Sequence, residues 1–145
     1  MSAGQGPETL TLHATCVARK GRGLLITGPS GAGKSGLALQ LIALGARLVA
    51  DDQTILTARG TTLTATCPPA IRGLIEARGM GLLPAPVAER ATVVLCVDLG
   101  ATEDCRLPPH RAVTYLGRTV SLVLGQNSPH FAAALMLQLE AGRRH

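Results

Sequence analysis

At 145 residues and 46% hydrophobic, the chain has apolar material for one core, and a single domain is expected over residues 9–145 behind a polar, flexible tail at 1–8. The net charge of +5 comes almost wholly from scattered arginines, and Tyr115 and Phe131 are the only aromatics, so no stacking platform for single-stranded nucleic acid exists and no nucleic-acid partner is expected. No run approaches the ~20 apolar residues that span a bilayer, and residues 1–8 lack a signal-peptide profile; a cytoplasmic protein without a membrane segment is expected.

In chain order, residues 9–18 alternate well enough for one strand with His13 inside it. Lys20-Gly21-Arg22-Gly23 reads as a turn, and Gly23-Leu24-Leu25-Ile26-Thr27 as a short apolar strand. The strand runs into Gly28-Pro29-Ser30-Gly31-Ala32-Gly33-Lys34-Ser35, which spells G-x-x-x-x-G-K-S, the Walker A loop. Leu37, Ala38, Leu41, Ile42 and Leu44 then recur at helical spacing, and Gly45 stands where a helix ends. Strand, glycine loop and helix are the order such a loop requires. Its glycines let successive N–H groups face one anion, and the helix adds the positive end of its dipole. Lys34 is placed to meet the β and γ phosphates, and the Ser35 hydroxyl to ligate Mg²⁺. The motif therefore names ATP and Mg²⁺ but not the phosphate acceptor.

Residues 47–50 form a short strand ending at Asp51-Asp52, and 53–58 with 61–66 form a hairpin about Arg59-Gly60. Cys67-Pro68-Pro69 breaks the structure, and the glycine-interrupted stretch 74–83 has no clear assignment. Residues 92–97 read as a buried strand, 112–116 and 119–124 as further strands, and 129–141 as an amphipathic helix whose Phe131, Leu135 and Leu139 are expected in the core. Two long helices beside six to eight strands predict a compact, strand-rich α/β domain rather than a doubly wound one. Four cysteines, at 16, 67, 96 and 105, show no C-x-x-C pairing and read as buried free thiols.

Two places offer a catalytic carboxylate. Val93-Val94-Leu95-Cys96-Val97-Asp98 has the Walker B form, an apolar strand ending in aspartate. The alternative is Asp51-Asp52, whose adjacent side chains point in different directions, so that one can take a proton while the other meets metal.

His13, the loop and its flanking strand and helix, Gly45-Ala46-Arg47-Leu48-Val49-Ala50-Asp51-Asp52, and Glu76-Ala77-Arg78-Gly79-Met80-Gly81-Leu82-Leu83 occur in one order and spacing. Together they resemble HPr kinase/phosphorylase, whose signature reads Glu-Ile-Arg-Gly-Leu-Gly-Ile-Ile; the resemblance covers residues 9–83 and is faint beyond. That bacterial enzyme phosphorylates a serine of HPr, the small phosphocarrier of the sugar phosphotransferase system. The resemblance implies a P-loop fold of the HPr kinase and phosphoenolpyruvate carboxykinase type. It implies Asp51 as the base toward the target serine, with His13 nearby to support its protonation balance. Asp52 and Glu76 would lie with Ser35 around Mg²⁺, Arg78 would contact phosphate or hold the acidic cluster, and Asp98 would be an ordinary strand-end residue. It also implies HPr or an HPr-like phosphocarrier as partner and a homo-oligomer, hexameric in the family.

Two departures stand out. The family's long form carries a separate N-terminal domain, and this chain resembles the catalytic domain alone. Gly125-Gln126-Asn127 puts glutamine where the family typically reads arginine, a loss that falls more on the phosphate-dependent reverse reaction than on the kinase reaction. Two other readings stay open: a non-catalytic ATP-sensing module, and a small-molecule P-loop kinase, for whose lid and acceptor pocket a chain of this length leaves little room.

Overall fold

Residues 8–144 are described by the computed structural model, and strands dominate them. The elements are β1 (Thr9–Leu12), β2 (Thr15–Arg19), β3 (Arg22–Thr27), α1 (Lys34–Ala43), β4 (Arg47–Ala50), β5 (Thr54–Arg59), β6 (Thr62–Thr66), β7 (Leu74–Ala77), β8 (Gly81–Pro84), β9 (Arg90–Thr102), β10 (Arg111–Tyr115), β11 (Arg118–Gly125) and α2 (Phe131–Ala141). A curled sheet runs β1-β5-β6-β9-β3-β2-β4, and β7 pairs with β8 in a small sheet of its own.

The long strand β9 is the spine. On one side it pairs in parallel with β3, from Arg22↔Thr92 to Thr27↔Asp98. On the other side β6 takes residues Arg90–Thr92 antiparallel, and β11 takes over in parallel from Leu95. The register with β3 jumps from Gly23↔Val93 to Leu24↔Leu95, so Val94 is the extra residue of a bulge. The bulge turns Val94 and Leu95 to one face while Val93 and Cys96 serve the other. The first face is covered by α1, α2 and β7 through Leu41, Leu135, Leu139 and Ile75. The second closes on itself as the sheet curls, bringing Leu56 and Leu63 against Cys16 and Leu25. At ~25 cal/mol per Å² of apolar area removed from water, two-sided burial of this kind is the main stabilising contribution.

Helix α1 ends as its sequence indicates. The Gly45 N–H donates to the Ile42 carbonyl and the Ala46 N–H to the Leu41 carbonyl, both at 3.0 Å, the paired bonds of a Schellman motif. Gly45 has φ 108, and a Cβ there would collide with the Arg19 guanidinium. Arg19 donates from Nη1 to the Gly45 carbonyl at 3.3 Å and pairs through Nε with Glu140 of α2 at 2.8 Å. Gly45→Ala is therefore expected to lower stability by about 1–3 kcal/mol, read as a lower urea midpoint with an unchanged m value.

The structure corrects several expectations. Residues 9–18 are two strands, because β1 crosses to pair with β5 while β2 stays beside β3; His13 sits at the bend between them, not inside a strand. There are eleven strands among the described residues rather than six to eight, the additions including the β7–β8 hairpin over residues 74–84. Strand β9 continues to Thr102, so Asp98 lies within it and is not a strand-end residue. Of the tail at 1–8, residues 1–7 lie outside the described residues, and the Glu8 carbonyl accepts the Ala58 N–H at 3.0 Å, extending the β1–β5 ladder. All four cysteines are free, but only Cys16 and Cys96 are buried; Cys67 is half-buried and Cys105 exposed. Burial pushes the Cys16 thiol far up, and the Cys96 thiol up to about 11, which keeps both neutral in the core. Phe131, Leu135 and Leu139 are core residues, as expected. Among the described residues no helix is long and apolar enough to cross a membrane.

Candidate active site

Strand β3 delivers the chain into the Walker A loop, which Gly28 opens with φ 146. A Cβ at Gly28 would lie 3.2 Å from the Ala32 Cβ and 3.3 Å from the Leu99 Cβ, so the loop closes tightly only around glycine. The Ala32 N–H donates back to the Pro29 carbonyl at 3.1 Å, and Gly33 caps α1 without any side-chain hydrogen bond. The first-turn N–H groups of α1 thus face the loop's concavity with no capping side chain on them. Lys34 is buried, and its Nζ donates to the Gly28 carbonyl at 2.8 Å and the Pro29 carbonyl at 3.1 Å. Its charge is held over the loop, where phosphate oxygens would compete for the same donors.

Strand β4 runs antiparallel to β2, so its C-terminal end brings Asp51 and Asp52 beside the start of α1. Asp51 is buried at 7% exposure, and its carboxylate accepts three hydrogen bonds. Its Oδ1 accepts the Thr15 hydroxyl at 2.9 Å and the Ser35 hydroxyl at 2.7 Å, and its Oδ2 accepts the Glu76 N–H at 2.9 Å. One carboxylate thereby ties together β2, the first turn of α1 and β7. Asp52 has φ 70, and the Gln53 N–H donates across it to the Asp51 carbonyl at 2.8 Å. That three-residue turn with a left-handed non-glycine centre is strained, and such strain collects at functional positions. It is held by the Thr15 hydroxyl, which accepts the Asp52 N–H at 3.3 Å.

The turn aims the Asp52 side chain away from Asp51 and toward His13, whose Nδ1 lies 3.1 Å from Asp52 Oδ1. The other ring nitrogen of His13 lies 3.4 Å from the Ser30 hydroxyl. His13 thus bridges the second aspartate to the loop, a partnership made possible by its place in the β1–β2 bend. On β7, Ile75 and Ala77 are buried and Glu76 is exposed between them; Arg78 follows in the turn after the strand and is exposed as well.

A cavity of about 430 Å³ lies between these parts, with Lys34 and Ser35 on one wall and His13, Asp52, Glu76 and Arg78 on the other. Ten of the residues singled out from the sequence therefore meet in one place: His13, Ser30, Gly31, Gly33, Lys34, Ser35, Asp52, Glu76 and Arg78 line the cavity, and Asp51 stands one hydrogen bond behind Ser35, while Gly28, Pro29 and Ala32 of the loop do not line it. Asp98 does not line the cavity: it pairs with Thr27 at the entry to the loop, and its Oδ1 accepts the Gly100 N–H at 2.7 Å; Gln126 does not line the cavity either. Thr15 is a residue of this site missed from sequence: its hydroxyl donates to Asp51 and accepts from the Asp52 N–H, and its only signal is a polar residue within the buried run of β2.

The donor set suits a nucleoside triphosphate with a divalent cation: uncapped N–H groups and an ammonium for the phosphates, and a hydroxyl with two carboxylates for hard-cation coordination. A strand-rich α/β fold with a P-loop facing paired aspartates and a Glu-x-Arg hairpin defines the class. Residues 6–103 match the family model described as HPr Serine kinase C-terminal domain, and the chain belongs to that family. The HPr kinase/phosphorylase of Aromatoleum aromaticum is 38% identical over 117 residues, covering 72% of this chain and 37% of the relative. That of Nitrosomonas europaea is 48% identical over 75 residues, 51% of this chain and 23% of the relative. The chain thus spans well under half the length of these relatives. The solved structure of the Hpr(Ser) kinase/phosphatase from Coxiella burnetii superposes with a TM-score of 0.75 at 26% identity, over 90% of this chain and 94% of that one. The likeness in fold therefore extends well past residue 83.

Proposed function

We propose that residues 9–145 act as one catalytic unit that transfers the γ-phosphate of ATP to a serine of HPr or an HPr-like phosphocarrier. The observation that carries this reading is the three-way junction at Asp51, which joins Ser35 of the loop to the Glu76 N–H of the hairpin. Three sequence blocks that resemble one protein-serine kinase family are thereby assembled around a single cavity.

In this reading the loop N–H groups and Lys34 hold the phosphates and place the γ-phosphate toward the hairpin. Ser35, Asp52 and Glu76 would hold Mg²⁺, which would supply neutralisation of charge on the phosphate oxygens. Asp51 takes the serine proton: about four lone-pair positions are available on a carboxylate, and three are filled here, which leaves one. His13 fixes Asp52 and ties it to the loop, and Arg78 faces the cavity to hold phosphate charge. Met80 and Leu82, 78% and 66% exposed on the β7–β8 hairpin, support a protein partner beside the cavity, either the acceptor or a neighbouring copy in a homo-oligomer. Gln126 leaves the reverse, phosphate-dependent reaction the weaker of the two.

One observation favours a second assignment of the proton. Asp52 is exposed to the cavity and meets His13 at 3.1 Å, whereas Asp51 is buried. Asp52 with His13 would then accept the proton, and Asp51 would anchor Ser35.

Incubation with labelled ATP, Mg²⁺ and HPr, followed by phosphoamino-acid analysis, tests the function. The expected result is phosphoserine on HPr that disappears with chelation. Label on a nucleotide or sugar without any protein acceptor would replace the proposal with a small-molecule kinase. Bound ATP with no transfer would replace it with an ATP sensor.

A further inference from the structure

Strand β2 opens on a threonine, Thr15, followed by the apolar Cys16, Val17 and Ala18. Its register with β4 runs Ala18↔Arg47 and Val17↔Leu48, then jumps to Cys16↔Ala50, so Val49 is the extra residue of a bulge. Continued one step past the ladder, the shifted register sets Thr15 opposite Asp51; without the bulge it would stand opposite Ala50. A threonine there is stiff about χ1, because both of its branches hang on Cβ. It is also fully buried, at 0% exposure, so its hydroxyl must find its partners within the protein.

A hydroxyl has one proton and two lone pairs. The Thr15 proton goes to Asp51 Oδ1 at 2.9 Å, and a lone pair takes the Asp52 N–H at 3.3 Å. The direction of this chain is fixed, since the Asp52 N–H can only donate and the Thr15 proton is left for the carboxylate. Ser35 gives the same Oδ1 a second hydroxyl proton at 2.7 Å. Oδ1 therefore holds two donors, whereas Oδ2 holds only the Glu76 N–H at 2.9 Å. Of about four lone-pair positions on the carboxylate, the open one is on Oδ2. That oxygen is turned toward β7, whose Glu76 lines the nucleotide cavity. Without the Thr15 hydroxyl each oxygen would keep a single donor, and the two would lose their difference. The left-handed turn at Asp52 would lose its N–H acceptor as well.

Resting on the phosphotransfer reading above, we propose that Thr15 is a positioning residue for it. Its hydroxyl makes Asp51 Oδ2 the atom that takes the acceptor's proton and, through the Asp52 N–H, keeps the second aspartate in its separate orientation. In the step, the acceptor oxygen bonds to the γ-phosphorus, and the bond from that phosphorus to the bridging oxygen breaks with its electron pair leaving on ADP. The acceptor's proton passes to Oδ2, and Thr15 keeps its own proton throughout.

The experiment compares the full chain with Thr15→Val, which keeps the shape without the hydroxyl, and Thr15→Ser, which keeps the hydroxyl, in steady-state transfer to HPr. Thr15→Val is expected to lower kcat by about ten- to hundredfold with KM for ATP and HPr within about threefold, and Thr15→Ser to recover kcat to within about fivefold. Thr15→Ala gives the same reading should Thr15→Val not fold. In Asp51→Asn, Thr15→Val is expected to cost less than about twofold more, because the base it acts through is already gone; in Asp52→Asn its full effect persists. Amide hydrogen exchange reads the same contact without nucleotide: the Asp52 N–H is expected to exchange about tenfold faster in Thr15→Val while the β2 and β3 amides keep their protection. Normal kcat in Thr15→Val, an equal loss in Thr15→Ser, a full further loss in Asp51→Asn, or an unchanged Asp52 exchange rate would overturn the proposal. Absence of transfer to HPr by the unaltered chain would overturn the phosphotransfer reading itself, and this assignment with it.

Discussion

Asp51→Asn is expected to reduce phosphotransfer to HPr by about 10²–10⁴-fold, the usual contribution of a positioned general base, while ATP affinity changes by less than about threefold. The amide is isosteric, so Ser35 and Thr15 keep an acceptor when its oxygen occupies the Oδ1 position. The amide nitrogen then meets the Glu76 N–H, donor against donor, at a cost of about 1–3 kcal/mol in stability. Transfer rates at saturating ATP, paired with calorimetric ATP titration and a urea melt, separate the catalytic from the structural effect. Asp52→Asn is the control. If the large loss appears there, and Asp51→Asn costs only a few-fold, the proton goes to the Asp52–His13 pair.

Lys34→Ala is expected to abolish useful ATP binding, with transfer reduced by about 10²–10³-fold from the lost charge stabilisation alone. Its effect on the fold should be small, about 1 kcal/mol or less, despite the burial of Lys34. The two carbonyls it serves, Gly28 and Pro29, are half-buried and exposed, so water can replace the ammonium. A large loss of stability with intact ATP affinity would mean that the ammonium serves the loop rather than a ligand.

Local signals made part of this site readable before any coordinates. The Walker A loop, the helix after it with its Gly45 cap and the Asp51-Asp52 strand end each depend on neighbours within a few residues, and they stand where the sequence placed them. The β5–β6 hairpin was readable for the same reason. What depended on distant partners was not. In β2, Thr15, Cys16, Val17 and Ala18 are all buried, so the period that should mark a strand boundary is lost and His13 looked like part of one long strand. The β9 bulge hides in an unbroken apolar run, where an extra valine leaves no trace. Glycines at 79 and 81 obscured the β7–β8 hairpin, which positions Glu76 and Arg78. The pairing of His13 with Asp52 rests on a left-handed turn held by a threonine 37 residues away, which no spacing rule encodes.

The most direct measurement is a rapid-quench single turnover, with the protein in excess over γ-labelled ATP and HPr as acceptor. The account predicts that label leaves the nucleotide and arrives, one for one, on a single serine of HPr. Label released as free phosphate while HPr stays unmodified would contradict it.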